Sequence, residues 1–179
     1  MGKILFNKLQ EGRKRYQADR TVKRLLHEKS LHNQGVVDIG KLTSRELFLV
    51  GIALYWAEGF KHPDESTLGL ATLDPKMAKF YVYWLVKSLE IKRDGLLFRV
   101  TANEAYEERV HEMEKYWAEL LEVDLSQFRK PFFQKVKQIK VYANSDNYHG
   151  VIRIRVRRGL DLLRKMRGWM AGLAQARIE

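Results

Sequence analysis

The sequence contains no cysteine. That excludes disulfides and thiolate metal sites, and it leaves the redox compartment open, with a cytoplasmic setting as the default. Long apolar runs are also missing: the longest, Leu47 to Ala57, is too short to span a bilayer, so no membrane partner is expected. No cleavable signal stands at the N-terminus, and Phe6 occupies the position where a myristoylation signal after Gly2 needs Ser or Thr. His27 and His32 are five apart rather than four, so there is no HExxH zinc helix. Neither a repeat nor a low-complexity tract interrupts the 179 residues, a length that suits one domain with an appendage or two small ones.

What the chain has in excess is positive charge, +11 in all, unevenly placed. Residues 1–43 carry 10 Lys/Arg against 4 Asp/Glu, residues 44–128 carry 10 against 15, and residues 129–179 carry 13 against 3. Two basic ends around an acidic middle favour a polyanionic partner, of which nucleic acid is the commonest. A merely solvated basic surface is the plain alternative.

In chain order, residues 3–32 read as one or two basic helices. Ile4, Leu5, Leu9, Tyr16, Val22, Leu25 and Leu26 form a thin apolar stripe between clusters such as Arg13-Lys14-Arg15, which are candidates for phosphate contact. Gly35 and Gly40 suggest a loop, so residues 1–43 form a basic helical arm and 44–179 the main domain. Thr43 or Ser44 caps a helix over 44–58 that stops at Gly59. This helix is apolar all round, with small Gly51, Ala53 and Ala57 between large residues. Such a helix belongs in a core or a subunit interface. Its one late acid, Glu58, therefore needs a reason.

A short strand at 67–72 and a helix from Pro75 to about Leu89, capped by Asp74, come next. Met77, Phe80, Tyr81, Trp84, Leu85 and Leu89 form its core face. Residues 96–102 alternate as a half-buried strand, with Leu96, Phe98, Val100 and Ala102 on one side and Leu97, Arg99 and Thr101 on the other. An acidic amphipathic helix follows over 104–121, burying Tyr106, Val110, Met113 and Trp117. Residues 132–142 read as a strand carrying Lys135, Lys137 and Lys140, joined by a hairpin-like loop at 144–150 to a clearer strand at 151–157. There Ile152, Ile154 and Val156 oppose Arg153, Arg155 and Arg157. Cationic strand faces without acids suit a sheet laid along nucleic acid. A final helix over 160–174 turns Leu163, Met166 and Trp169 inward. The pattern predicts an α+β fold.

The segment Ala53-Leu54-Tyr55-Trp56-Ala57-Glu58-Gly59 resembles the G-L-I-D-A-D-G half of the LAGLIDADG motif, and Leu49 to Lys61 is similar to small bacterial proteins of that superfamily. The resemblance runs through Ala71-Thr72-Leu73-Asp74-Pro75 to the last basic strand and helix, covering roughly 44–174. It implies motif and flanking helices packed on a saddle-shaped antiparallel sheet, in the plan helix, two strands, helix, two strands, helix. The family pairs two motif helices through small residues, which makes Gly51, Ala53, Leu54 and Ala57 the dimer contacts of a one-motif homodimer. Glu58 then becomes a ligand for Mg²⁺ or another divalent cation. The implied activity is site-specific cleavage of double-stranded DNA, with Lys61 or Arg99 as the catalytic basic residue. This chain departs from the family in carrying Glu58 where Asp is usual and Trp56 where a polar residue often stands. It also lacks one strand of the plan, so either 60–67 hides a strand or 104–121 is inserted. A non-catalytic DNA-binding regulator and an RNA-binding splicing cofactor are the other readings. For Glu58 alone, a helix-end carboxylate paired with Lys61 or an arginine inside an otherwise inert fold is the structural alternative; a lone acid at a helix C-terminus is disfavoured by the macrodipole, by typically below about 1 kcal/mol.

Overall fold

A computed structural model describes residues 2–135 and 147–176. The chain divides into two units, Met1–Thr43 and Ser44–Glu179. In the first, α1 runs unbroken from Gly2 to Ile39, so Gly35 is helical and not a loop residue. The helix ends one residue before Gly40, whose φ of +56° is the left-handed turn that glycine supplies at helix C-termini. Leu9, Tyr16, Val22, Leu25 and Leu26 are all exposed on α1.

In the second unit, α2 (Ser44–Glu58), β1 (Gly69–Thr72), α3 (Pro75–Ser88), β2 (Leu96–Asn103), α4 (Val110–Leu121), β3 (Phe132–Gln134), β4 (Val151–Val156) and α5 (Leu160–Gln175) follow in order. This is an α+β fold. Asp74 caps α3 as expected, its carboxylate accepting from the backbone N–H groups of Lys76 and Met77, with Pro75 at the first helical position. Residues 104–109 form 3₁₀ turns rather than the start of α4.

The strands lie in the order β1-β4-β2-β3. β4 is antiparallel to both β1 and β2, whereas β3 runs parallel to β2. The sheet is therefore mixed, not purely antiparallel, and β3 is not a hairpin partner of β4. The reason is positional: β4 fits between β1 and β2, so the described part of the 132–142 segment can pair only with the outer edge of β2.

Period-two alternation decides which residues enter the core. Leu70, Leu96, Phe98, Val100, Ile152 and Ile154 are essentially fully buried on one face, where α2, α3 and α4 contact the sheet and α5 packs on α2. The inner wall of this core is α3, with Tyr81, Trp84 and Leu85 fully buried. The opposite face carries Gly69, Ala71, Leu97, Arg99, Arg153 and Arg155.

The second helix is two-sided. Leu47, Gly51, Ile52 and Tyr55 are buried, while Val50, Ala53, Trp56 and Ala57 are exposed and Leu54 is half-buried. Gly51 is thus not a contact for a second chain. A Cβ there would stand 1.9 Å from Trp84 Nε1, and the indole N–H donates to the Phe48 carbonyl at 3.3 Å. Glycine at 51 lets two helices close on a buried tryptophan.

Gly51→Ala should consequently destabilise the fold by about 1–3 kcal/mol through overpacking, although alanine is the better helix former by about 1 kcal/mol. Gly168→Ala in α5, where an added Cβ meets nothing within 4 Å, should stabilise it instead. Urea melts of the two variants check the opposite signs.

Two core tyrosines set an alkaline limit. Burial first, then the charge of Glu65, pushes the Tyr55 hydroxyl up to about 12, and burial raises Tyr81 as well. The unfolded chain releases these protons near pH 10, so stability is full below about pH 10 and falls as pH rises towards the folded value of Tyr55. Unfolding followed from pH 9 to 12 should show this loss, with a shallower slope in Tyr55→Phe.

Candidate nucleic-acid interface

The site begins where α2 ends. The Gly59 N–H bonds the Tyr55 carbonyl at 2.7 Å, and the Tyr55 hydroxyl donates to the Phe60 carbonyl at 2.6 Å. Phe60 N–H then donates to the Gly69 carbonyl at 2.9 Å, and Gly59 bridges Leu70 in antiparallel sense. Two residues past the helix, the chain has become a rudimentary strand beside β1. Gly69 makes the crossing possible, because a Cβ there would meet the Ile154 carbonyl at 2.4 Å and the Phe60 ring at 3.2 Å.

The Phe60 ring supports two cations. The guanidinium carbons of Arg153 and Arg155 stand 4.6 and 4.7 Å from its centroid. Each such cation–π contact contributes about 0.5–1 kcal/mol at exposed sites and more when desolvated. Register places Gly69, Arg155 and Leu97 in one row across the open face and Ala71, Arg153 and Arg99 in the next. Arg129 joins them from the chain segment beside β2, anchored by its backbone N–H to the Phe98 carbonyl at 2.7 Å. Together Leu97, Phe98, Arg99, Arg129, Arg153 and Arg155 line a depression of about 520 Å³.

Crowding of like charges is visible in Arg153. Burial, then Arg155 and, more weakly, Arg99 hold its guanidinium below the usual value, while Glu65 acts the other way. The Glu65 carboxylate also receives two hydrogen bonds from Arg155, Nη1 at 2.8 Å and Nη2 at 3.0 Å, with both side chains largely shielded. Among the described residues, Arg99, Arg129 and Arg153 have no acid partner in this depression, and Arg155 is already engaged by Glu65.

The expected residues fall into groups. Arg99, Arg153 and Arg155 are brought together. Arg157 is not on the strand face: β4 ends at Val156, and Arg157 lies exposed in the turn that follows, its backbone N–H bonded to the Gly95 carbonyl at 2.8 Å. Lys135 is exposed just beyond β3, and Lys137 and Lys140 lie outside the described residues. Arg13, Lys14 and Arg15 are exposed on α1, in the other unit.

Glu58 is exposed at the last position of α2 and has no ion pair among the described residues. Lys61 does not pair with it. Its ammonium donates to the carbonyls of Trp56 at 2.6 Å and Ala57 at 2.9 Å, so it serves as a cationic cap on the helix C-terminus. The described residues contain no group of three or more His, Asp or Glu side chains that could hold a metal ion.

Sequence reading missed Phe60, Glu65 and Arg129. The first two lie in a polar segment that reads as a connector, and Arg129 precedes the strand expected to carry the basic face. An aromatic residue directly after the motif was the available signal. Comparisons with family models, with curated proteins and with solved structures return no match.

Lys61→Met should lower stability by about 0.3–1 kcal/mol, the typical worth of a cation at a helix C-terminus. Urea unfolding at low ionic strength measures it, and the deficit should shrink as added salt screens the interaction.

Proposed function

We propose that this chain is a double-stranded DNA-binding protein of LAGLIDADG type: a homodimeric, sequence-specific endonuclease that uses Mg²⁺ or another divalent cation. The arginine-lined open face of β4 and β2 carries the DNA-binding part of this reading. All of the described sheet-packing helices lie on the other face, so a duplex could approach the strands without displacing core. Arginine is the side chain best matched to phosphate oxygens and to the guanine edge in the major groove.

Two further features support the family part. With the Gly59–Leu70 bridge counted as an extended segment, the order becomes helix, two extended segments, helix, β2, an inserted stretch, β4, helix. That order is similar to the family plan if residues 104–150 are taken as an insertion. The exposed side of α2, with Ala53 and Ala57 small and Val50 and Leu54 beside them, is where a second α2 would approach.

Cleavage rests on Glu58 alone. Since one chain supplies one carboxylate there, the metal-binding set would need Glu58 from both copies, and no hydrolytic step is assigned to a single chain. The engagement of Lys61 with the helix end favours a second reading, a DNA-binding regulator that does not cut.

Replacing Arg99, Arg129 or Arg153 by Ala should each weaken duplex binding and flatten its log–log salt slope by about 0.9, the loss of one phosphate contact. Gel shifts across a salt series measure this, with structured RNA as competitor to distinguish an RNA partner. Glu58→Gln should keep the shift and lose metal-dependent nicking. Undiminished nicking in that variant would sink the hydrolytic part, and wild-type protein that binds but never nicks would leave the regulator.

A further inference from the structure

Among the described residues, the acid that meets the arginines of the open face is Glu65, and nothing in the binding proposal uses it. Glu65 is a poor neighbour for phosphate: it places a negative charge beside the depression and neutralises one of the guanidiniums that would attract a polyanion. As a purely structural tie it is weakly justified as well, since replacing a partly buried ion pair by apolar groups is often neutral or stabilising. Yet the pair is made with care. Both Arg155 terminal nitrogens meet both Glu65 oxygens, at 2.8 and 3.0 Å, and the Arg155 guanidinium rests against the Phe60 ring at 4.7 Å.

Three constraints of this kind fix a guanidinium in plane and position. Of the five N–H groups of Arg155, two are taken by Glu65, and the remainder include Nε–H on the adjacent edge. A planar pair of N–H donors presented from a fixed guanidinium matches the O6 and N7 acceptors of guanine in the major groove. Neutralised by Glu65, the same group gains little from a phosphate. Arg153 differs: it shares the Phe60 ring but, among the described residues, has no carboxylate in hydrogen-bonding contact.

We propose that Glu65 is a specificity-determining positioning residue, which holds Arg155 as a charge-neutral reader of a base edge and leaves phosphate contact to Arg99, Arg129 and Arg153. This rests on the DNA-binding reading and deepens it. The division of labour separates affinity from discrimination: the three arginines without a carboxylate partner among the described residues set the first, and the Glu65–Arg155–Phe60 assembly sets the second. Removing the carboxylate charge releases Arg155 to act as a fourth phosphate contact.

The test uses the full chain, a mixed-sequence DNA duplex and a randomised duplex pool, with wild type, Glu65→Gln and the double variant Glu65→Gln/Arg155→Met. Glu65→Gln should bind the mixed duplex more tightly at low salt, with a log–log salt slope steeper by about 0.9, so that it loses about threefold more affinity than wild type between about 50 and 200 mM salt. From the pool it should retain duplexes with one fewer specified position. The double variant removes both charges together, so its salt slope should return to that of wild type while the lost position stays lost. Thermal melts of all three set a common temperature below every melt, at which binding and selection are read, so that a less stable Glu65→Gln is still compared as folded protein. Wild-type slope and wild-type selection in a folded Glu65→Gln would overturn the proposal while leaving DNA binding intact. Wild-type protein that fails to bind duplex at all would overturn both.

Discussion

The antiparallel pairing of β4 with β1 on one side and β2 on the other is the constraint from which the rest of the unit follows. Once Ile154 is paired with Leu70 and Phe98, period-two alternation leaves no choice: three apolar residues of β4 go to the core and Arg153 and Arg155 go to the opposite face. The same register puts Arg99 beside Arg153 and Gly69 beside Arg155. A slip of one residue would bury two guanidiniums and expose two isoleucines. The hydrophobic pattern that selects the core therefore also assembles the cationic surface.

Holding these cations close together costs electrostatic energy, and two arrangements offset it. The face of Phe60 lies against two guanidiniums at once, and Glu65 closes on one of them. Both residues come from the segment that leaves α2, so the helix carrying Glu58 and the arginine face are tied through the chain itself. The tie depends on small residues at two places. Gly51 seats α2 on Trp84, and Gly69 lets the outgoing chain cross β1.

Much of this was legible in the sequence. The bounds of α2, the cap of α3 by Asp74, the inward face of α5 and most of the alternation over 96–102 and 151–157 follow from local periodicity and turn chemistry; Thr101 is buried despite lying opposite the core face, and Arg157 falls in the turn after β4. What periodicity does not encode is partnership. Strand order could not be read because β3 and β4 are close in sequence, which suggests a hairpin, yet β4 inserts between two earlier strands. Lys61 is a catalytic candidate only through the resemblance, and the chain order does not show that its ammonium reaches back to the carbonyls of Trp56 and Ala57 at the end of α2. Gly51 looks like a contact for a second helix for the same reason that it serves one within the chain: small residues allow close approach to whichever neighbour is there. Glu65 gave no signal at all, because its partner Arg155 stands 90 positions away.

The central place of β4 also orders events in time. β1 and β2 are not neighbours in the sheet, so before residues 151–156 are available neither has a ladder partner in the other. Helices α2, α3 and α4 can form from local contacts well before that, whereas the β1–β4 pairing joins residues 80 to 86 positions apart, the kind of contact that makes folding slow. During synthesis the N-terminal part of this unit is thus a set of helices and two unpaired strand edges. The row of Arg99, Arg153 and Arg155 is complete only once β4 lies between β1 and β2, so it is a product of the most non-local pairing in the unit.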